Sequence, residues 1–162
     1  MKTKTVVNPG GNHGKGGGLH CRLLRWTAGG LLYGMVETFW RGHTHWSMLL
    51  LAALLCIPLD IANERWIPWE MPLALQALLG GAIITAMEFL AGCILNLWLG
   101  WGIWDYSGLW GNLLGQICPQ YALAWVPLAG LGILVFDWLD YQMGLAERPR
   151  YHLWRWTEGS PR

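Results

Sequence analysis

The sequence predicts an all-α integral membrane protein: four transmembrane helices in two antiparallel hairpins, with both termini cytoplasmic. Three observations carry that prediction. Hydrophobic residues make up 54% of the chain and charged residues only 13%, against roughly a quarter charged in soluble domains. There are 13 tryptophans, a residue that gathers at the two water–lipid interfaces, where ring and N–H are both served. The apolar stretch from Pro72 to Leu99 exceeds the about 20 residues needed to cross a bilayer.

The first 21 residues hold Lys2, Lys4 and Lys15 among many glycines. They read as a flexible cytoplasmic tail rather than a signal peptide, because Arg22 and Arg25 interrupt the place where an apolar core would sit. Residues 22–141 form the membrane domain. Its first span runs from about Leu23 to Trp40 and its second from about Thr44 to Ile61, joined by a short turn at Gly42. The third is Pro72 to Leu99. The fourth runs from about Leu113 to Trp138, with Pro119 and Pro127 expected to bend it because each lacks a backbone donor. Residues 142–162 form a basic and aromatic tail, RPRYHLWRW from Arg148 to Trp156, suited to anionic lipid headgroups.

Ten of the eleven Lys and Arg residues fall on the side of the two tails and the loop holding Arg65, with Arg22 and Arg25 at the start of the first span among them, and Arg41 is the exception. The positive-inside rule then puts both ends in the cytoplasm. Trp40, Trp46, Trp98, Trp101, Trp104 and Trp110 would mark the outer interface, and Trp26, Trp66, Trp69 and Trp138 the inner one. A net charge of +1 gives no field that favours nucleic acid. Cys21, Cys56, Cys93 and Cys118 are scattered without a C-x-x-C pair, so they read as small buried hydrophobes.

Glu88 is the residue that asks for an explanation. An ionisable group inside a spanning segment is costly and faces a partner, a cavity or a pathway. In the third span Ala77, Gly81, Thr85, Glu88, Gly92 and Asn96 share a helical face. In the first, Gly30, Gly34, Glu37 and Arg41 do the same, and Glu37 can pair with Arg41 one turn on. Either stripe can be a packing seam, since small residues let helices approach. GGLLYGMVE and GGAIITAME both place a glutamate seven residues after a glycine pair, a weak hint of duplication. His43, His45 and Asp105 are metal-ligand types, but two imidazoles need further ligands, and the reading is scaffolding without metal or cofactor. Asp105 ahead of Tyr106 and Ser107 reads as a turn cap.

The order YGMVET, RGHTHWSM, TAMEF, WDYS and GNLLGQIC resembles the putative ABC-transporter type IV family of small bacterial membrane proteins. The match covers about Gly29 to Tyr141. The resemblance implies a permease and carries over Glu37, Arg41, His43, His45, Glu88, Asp105, Tyr106, Ser107, Asn112 and Gln116. No G-x-x-x-x-G-K-[ST] motif is present, so any ATPase would be a separate subunit.

The leading expectation is a non-enzymatic transporter- or channel-like subunit of the plasma membrane. Its polar site would comprise Glu37, Arg41, Glu88, Asn96 and Gln116, and its partners would be the bilayer and either further copies or a separate subunit. A holin-like permeabilising protein, a scaffold subunit and an intramembrane enzyme stay open as alternatives. The enzyme reading is weakest, since Ser107 lacks a nucleophile-elbow context.

Overall fold

The computed structural model describes residues 18–44, 46–67, 71–146 and 148–155. Four side chains within helices, those of Trp40, Arg41, Ser47 and Glu64, fall outside that description. His45 and Trp69 fall outside it as well.

Among the described residues the chain forms four helices and no strand. They are α1 (Leu19–Arg41), α2 (Trp46–Arg65), α3 (Leu73–Gly92) and α4 (Pro119–Gln142). Six residues of π-helix, Cys93–Trp98, extend α3. Gly42 ends α1 in the left-handed region, φ 77°, and its N–H closes on Thr38, a C-cap that glycine adopts without the Cβ penalty. The chain then turns straight into α2. The pairs α1–α2 and α3–α4 pack most closely. The hairpin turn and the 99–118 loop therefore share one end of the bundle, the loop end. The start of α1, the end of α2, the start of α3 and the end of α4 share the other, the terminal end.

Two of the four helices, Leu73–Trp98 and Pro119–Gln142, are long and apolar enough to cross a membrane, and α2 contains a shorter apolar run, Met48–Asn63. This narrows the expectation of four spans. For α1 the physical reason is charge, since it carries Arg22, Arg25, Glu37 and Arg41; the α2 run is bounded by Ser47 and Glu64, whose side chains fall outside the description. The start of the fourth span also moves. Residues 113–118 belong to the loop, where Leu113 and Ile117 form a bridge. Pro119 opens α4 at its first turn, where a missing N–H costs nothing. It starts the helix rather than bending it.

Small residues set the seams. A side chain at Gly81 would press on the backbone and side chain of Val126 in α4, and one at Gly30 on the Leu49 carbonyl and Ala53 in α2. Both glycine pairs of the repeated pattern are thus seams, one per hairpin. The shared core is Leu59, Ile84, Ala129, Ile133 and Phe136. Helix α3 has no side-chain N-cap. Its first amides are met instead by the tail: Leu73 N–H donates to the His152 carbonyl at 2.9 Å and Ala74 N–H to that of Leu153 at 3.2 Å. These are the donors a helix start leaves without an internal partner.

Candidate functional site

Glu88 lies on the buried face of α3 with 5% of its surface exposed. Trp125 of α4 donates its indole N–H to Oε2 at 2.6 Å, and the Tyr106 hydroxyl donates to Oε1 at 3.2 Å. Both donors are neutral. The 99–118 loop brings Tyr106 back over the helices, and its ring stacks on Tyr121 at 4.7 Å. Burial, reinforced by the nearby Glu88 carboxylate, pushes the Tyr106 phenol above its ordinary range. It therefore stays protonated and donating. On the α1 side, Tyr33 stacks on Trp125 with ring centres 5.7 Å apart.

A partly open cavity of about 60 Å³ adjoins the carboxylate, walled by all four helices and the loop. Tyr33, Leu55, Trp104, Trp125 and Phe136 line it with Glu88, and most of the lining is carbon. An acid in such a setting can accept a proton or hold a cation, because nothing else in the lining carries charge.

Asn96 and Gln116 work together, but as the lock of the loop. Asn96 Nδ2 donates to Gln116 Oε1 at 2.8 Å and to the Trp104 carbonyl at 3.0 Å, while its Oδ1 accepts the Ile103 N–H. The π segment explains its reach. In an α-helix eight residues at about 100° each would carry Asn96 about 80° off the Glu88 face. The wider turn of π-helix holds it nearer that face. Trp104 is also a correction. It was expected at the interface, yet it is buried, and its indole N–H bonds the Gln116 carbonyl at 3.0 Å. Trp46, Trp98, Trp101 and Trp110 are exposed; the Trp40 side chain is outside the described residues.

Asp105 caps a turn as expected, accepting the Ser107 N–H at 2.8 Å and its hydroxyl at 2.9 Å. Asn112 Nδ2 donates to the Ser107 and Leu109 carbonyls, and Asn112 Oδ1 accepts the Gly115 N–H. Leu114 sits at φ 52°, a left-handed conformation costing roughly 1–2 kcal/mol outside glycine. These bonds hold it there. Glu37 is 7% exposed and accepts the Thr44 hydroxyl at 2.5 Å. It lies apart from the cavity lining. His43 is exposed at the α1–α2 turn. His45 and the Arg41 side chain lie outside the described residues, so the expected Glu37–Arg41 pair does too.

A second polar cluster, at the terminal end, went unread in the sequence. Arg25 of α1, 1% exposed, contacts Asp60 of α2 through Nε at 2.8 Å and Nη2 at 3.2 Å, and its Nη1 reaches Asp140 of α4. The Trp26 N–H adds to Asp60 at 3.0 Å. Beside it, Asp137 accepts Asn63 Nδ2 at 2.9 Å and the Tyr151 hydroxyl at 2.5 Å. Its sequence signal was present in Asp60–Asn63 and Asp137–Asp140, each three residues apart and so on one helical face.

The chain matches the model of the family described as putative ABC-transporter type IV over residues 21–152. It belongs to this family. The match reaches through the tail that caps α3, beyond the Tyr141 limit read from motifs. Neither a curated protein nor a solved structure matches the chain. Family and apolar helices together mark an ABC-transporter-related membrane protein.

Proposed function

We propose that this family member is a transport- or channel-like subunit in which Glu88 binds or relays a cation or proton. The observation that carries the reading is the setting of Glu88: a buried carboxylate held by two neutral donors beside a cavity. The cavity is what sets Glu88 apart: Asp60 is tied to the Arg25 guanidinium, and Asp137, held by neutral donors as Glu88 is, does not line it.

In the arrangement we favour, all four helices enter the membrane, α1 and α2 as a hairpin beside the two strongly apolar helices. The termini are cytoplasmic, following the Lys and Arg distribution. Reporter fusions at Gly42 and Gly108 should then read outside, and fusions after Arg65 and Arg162 inside. Four helices enclose little volume, so a second copy or a separate ATPase subunit completes the pathway. The functional test is reconstitution of the full chain in proteoliposomes with internal pH and cation reporters. Flux should be present in the native protein and lost in Glu88→Gln. Flux unchanged by that substitution would sink the reading.

A further inference from the structure

Given that reading, on which this inference rests, we propose that the cavity beside Glu88 takes a small alkylated ammonium ion. The argument is by elimination among cations. A bare metal cation wants about six oxygen ligands at short range, and the side chains lining the cavity offer two oxygen-bearing groups at most, the Glu88 carboxylate and the Tyr33 hydroxyl, with the Cys56 thiol, amid carbon. The two indoles, Trp104 and Trp125, present N–H donors already directed to Gln116 and Glu88. An unsubstituted ammonium ion has four N–H groups to satisfy and meets the same shortage. Alkylation removes that demand. A methylated ammonium needs one counter-charge, and its methyl groups suit apolar and aromatic walls.

The walls fit that description. Glu88 supplies the counter-charge, with lone pairs to spare beyond the Tyr106 and Trp125 bonds. Tyr33, Trp125, Trp104 and Phe136 line the same space, and aromatic rings attract alkylammonium cations through their negative faces. The Tyr33–Trp125 stack comes from α1 and α4, so the aromatic wall exists only when the two hairpins are docked. Volume limits the guest. About 60 Å³ equals roughly two waters' share of liquid and falls short of the ~150 Å³ cavity that admits benzene. The head of the guest is therefore a few heavy atoms, and any longer part leaves by the open side.

The test uses the full chain in lipid nanodiscs, titrated calorimetrically with methylammonium, tetramethylammonium, ammonium, sodium and uncharged tert-butanol. Saturable binding of at least one methylated ion is expected, at least about tenfold tighter than sodium, ammonium or tert-butanol. Glu88→Gln should weaken it roughly tenfold or more. If Glu88→Gln does not fold, the wall decides: Tyr33→Leu should weaken binding by about threefold or more, whereas Tyr33→Phe should not. Equal binding in the Glu88 variant, equal binding in Tyr33→Leu, tighter binding of sodium, or no saturable binding of either methylated ion would overturn the proposal. Proton or metal-ion flux that needs Glu88 but ignores these probes would sink this inference and leave the proposed function standing. Probe binding without flux of any ion would do the reverse.

Discussion

The two ends of the bundle bury carboxylates in opposite ways. At the terminal end Asp60 and Asp140 close on the Arg25 guanidinium, and Asp137 is held by Asn63 and Tyr151. Arg25 serves Asp60 and Asp140 directly, Asp137 has neutral donors but does not line the cavity, and the cluster ties α1, α2, α4 and the tail together. Towards the loop end Glu88 meets two neutral donors and a cavity. Burying a charge is tolerable only with a partner. Asp60 and Asp140 have their partner built in, whereas Glu88 leaves that place open. Substitutions should therefore damage the fold at one end and ligand handling at the other.

The largest effect is expected at Arg25. Removing one member of a buried ion pair costs about 3–5 kcal/mol, because the other charge stays behind. Arg25→Ala leaves Asp60 and Asp140 facing each other with that charge uncompensated. Thermal unfolding of the purified variant in detergent should show a steeper loss than Tyr151→Phe or Glu88→Gln. Replacing Arg25, Asp60 and Asp140 together by leucine should recover part of it. A mild effect of Arg25→Ala would erase the contrast between the two ends.

That cluster also marks the limit of what the sequence could tell. The apolar runs of α3 and α4 were plain, because spanning length and hydropathy are local properties. Glu88 was plain for the same reason, a charge out of place in such a run. Arg25 was hidden in a basic N-terminal region, where the positive-inside rule absorbs arginines without asking for partners. Asp60 and Asp140 sat near span ends, where acids attract no notice. Only the docking of residues 25, 60 and 140, far apart in the chain, gives them meaning. Trp104 and the π segment were unreadable for a related reason. Each depends on Gln116 or Asn96 bonding across the 99–118 loop, whose glycine-rich sequence specifies turns but not their closure.

A middling effect is expected at Tyr151, where the tail joins the matched end. Tyr151→Phe removes one hydrogen bond to Asp137 and leaves the Asn63 bond in place. About 1–2 kcal/mol should be lost, with loosening of the tail that caps α3, measurable as faster amide exchange at Leu73 and Ala74. Burial, and then Asp137, raise the Tyr151 phenol above its ordinary value. A raised tyrosine contributes stability in full below its unfolded pKa, about 10, and loses it as pH climbs towards the folded one. The difference between native protein and Tyr151→Phe should accordingly be flat across neutral pH and shrink only in strong alkali.

The smallest effect on folding is expected from Glu88→Gln, and it sharpens the comparison most. Glutamine keeps the size and one oxygen of the native side chain. That oxygen can accept the Trp125 N–H, which has no other role to fall back on, since an indole only donates. The new amide group then faces Tyr106, whose hydroxyl both donates and accepts and can rotate to receive it. Both neighbours stay satisfied, no cation is orphaned, and stability should change by less than about 1 kcal/mol. Glu88→Leu is the informative contrast. It strips the partner from Trp125 and Tyr106 together, at about 1–3 kcal/mol for each buried group left unpaired. Thermal unfolding of the two variants side by side measures the difference. If Glu88→Gln costs as much as Glu88→Leu, the negative charge itself holds this part of the bundle together, and the two ends bury their acids for the same purpose.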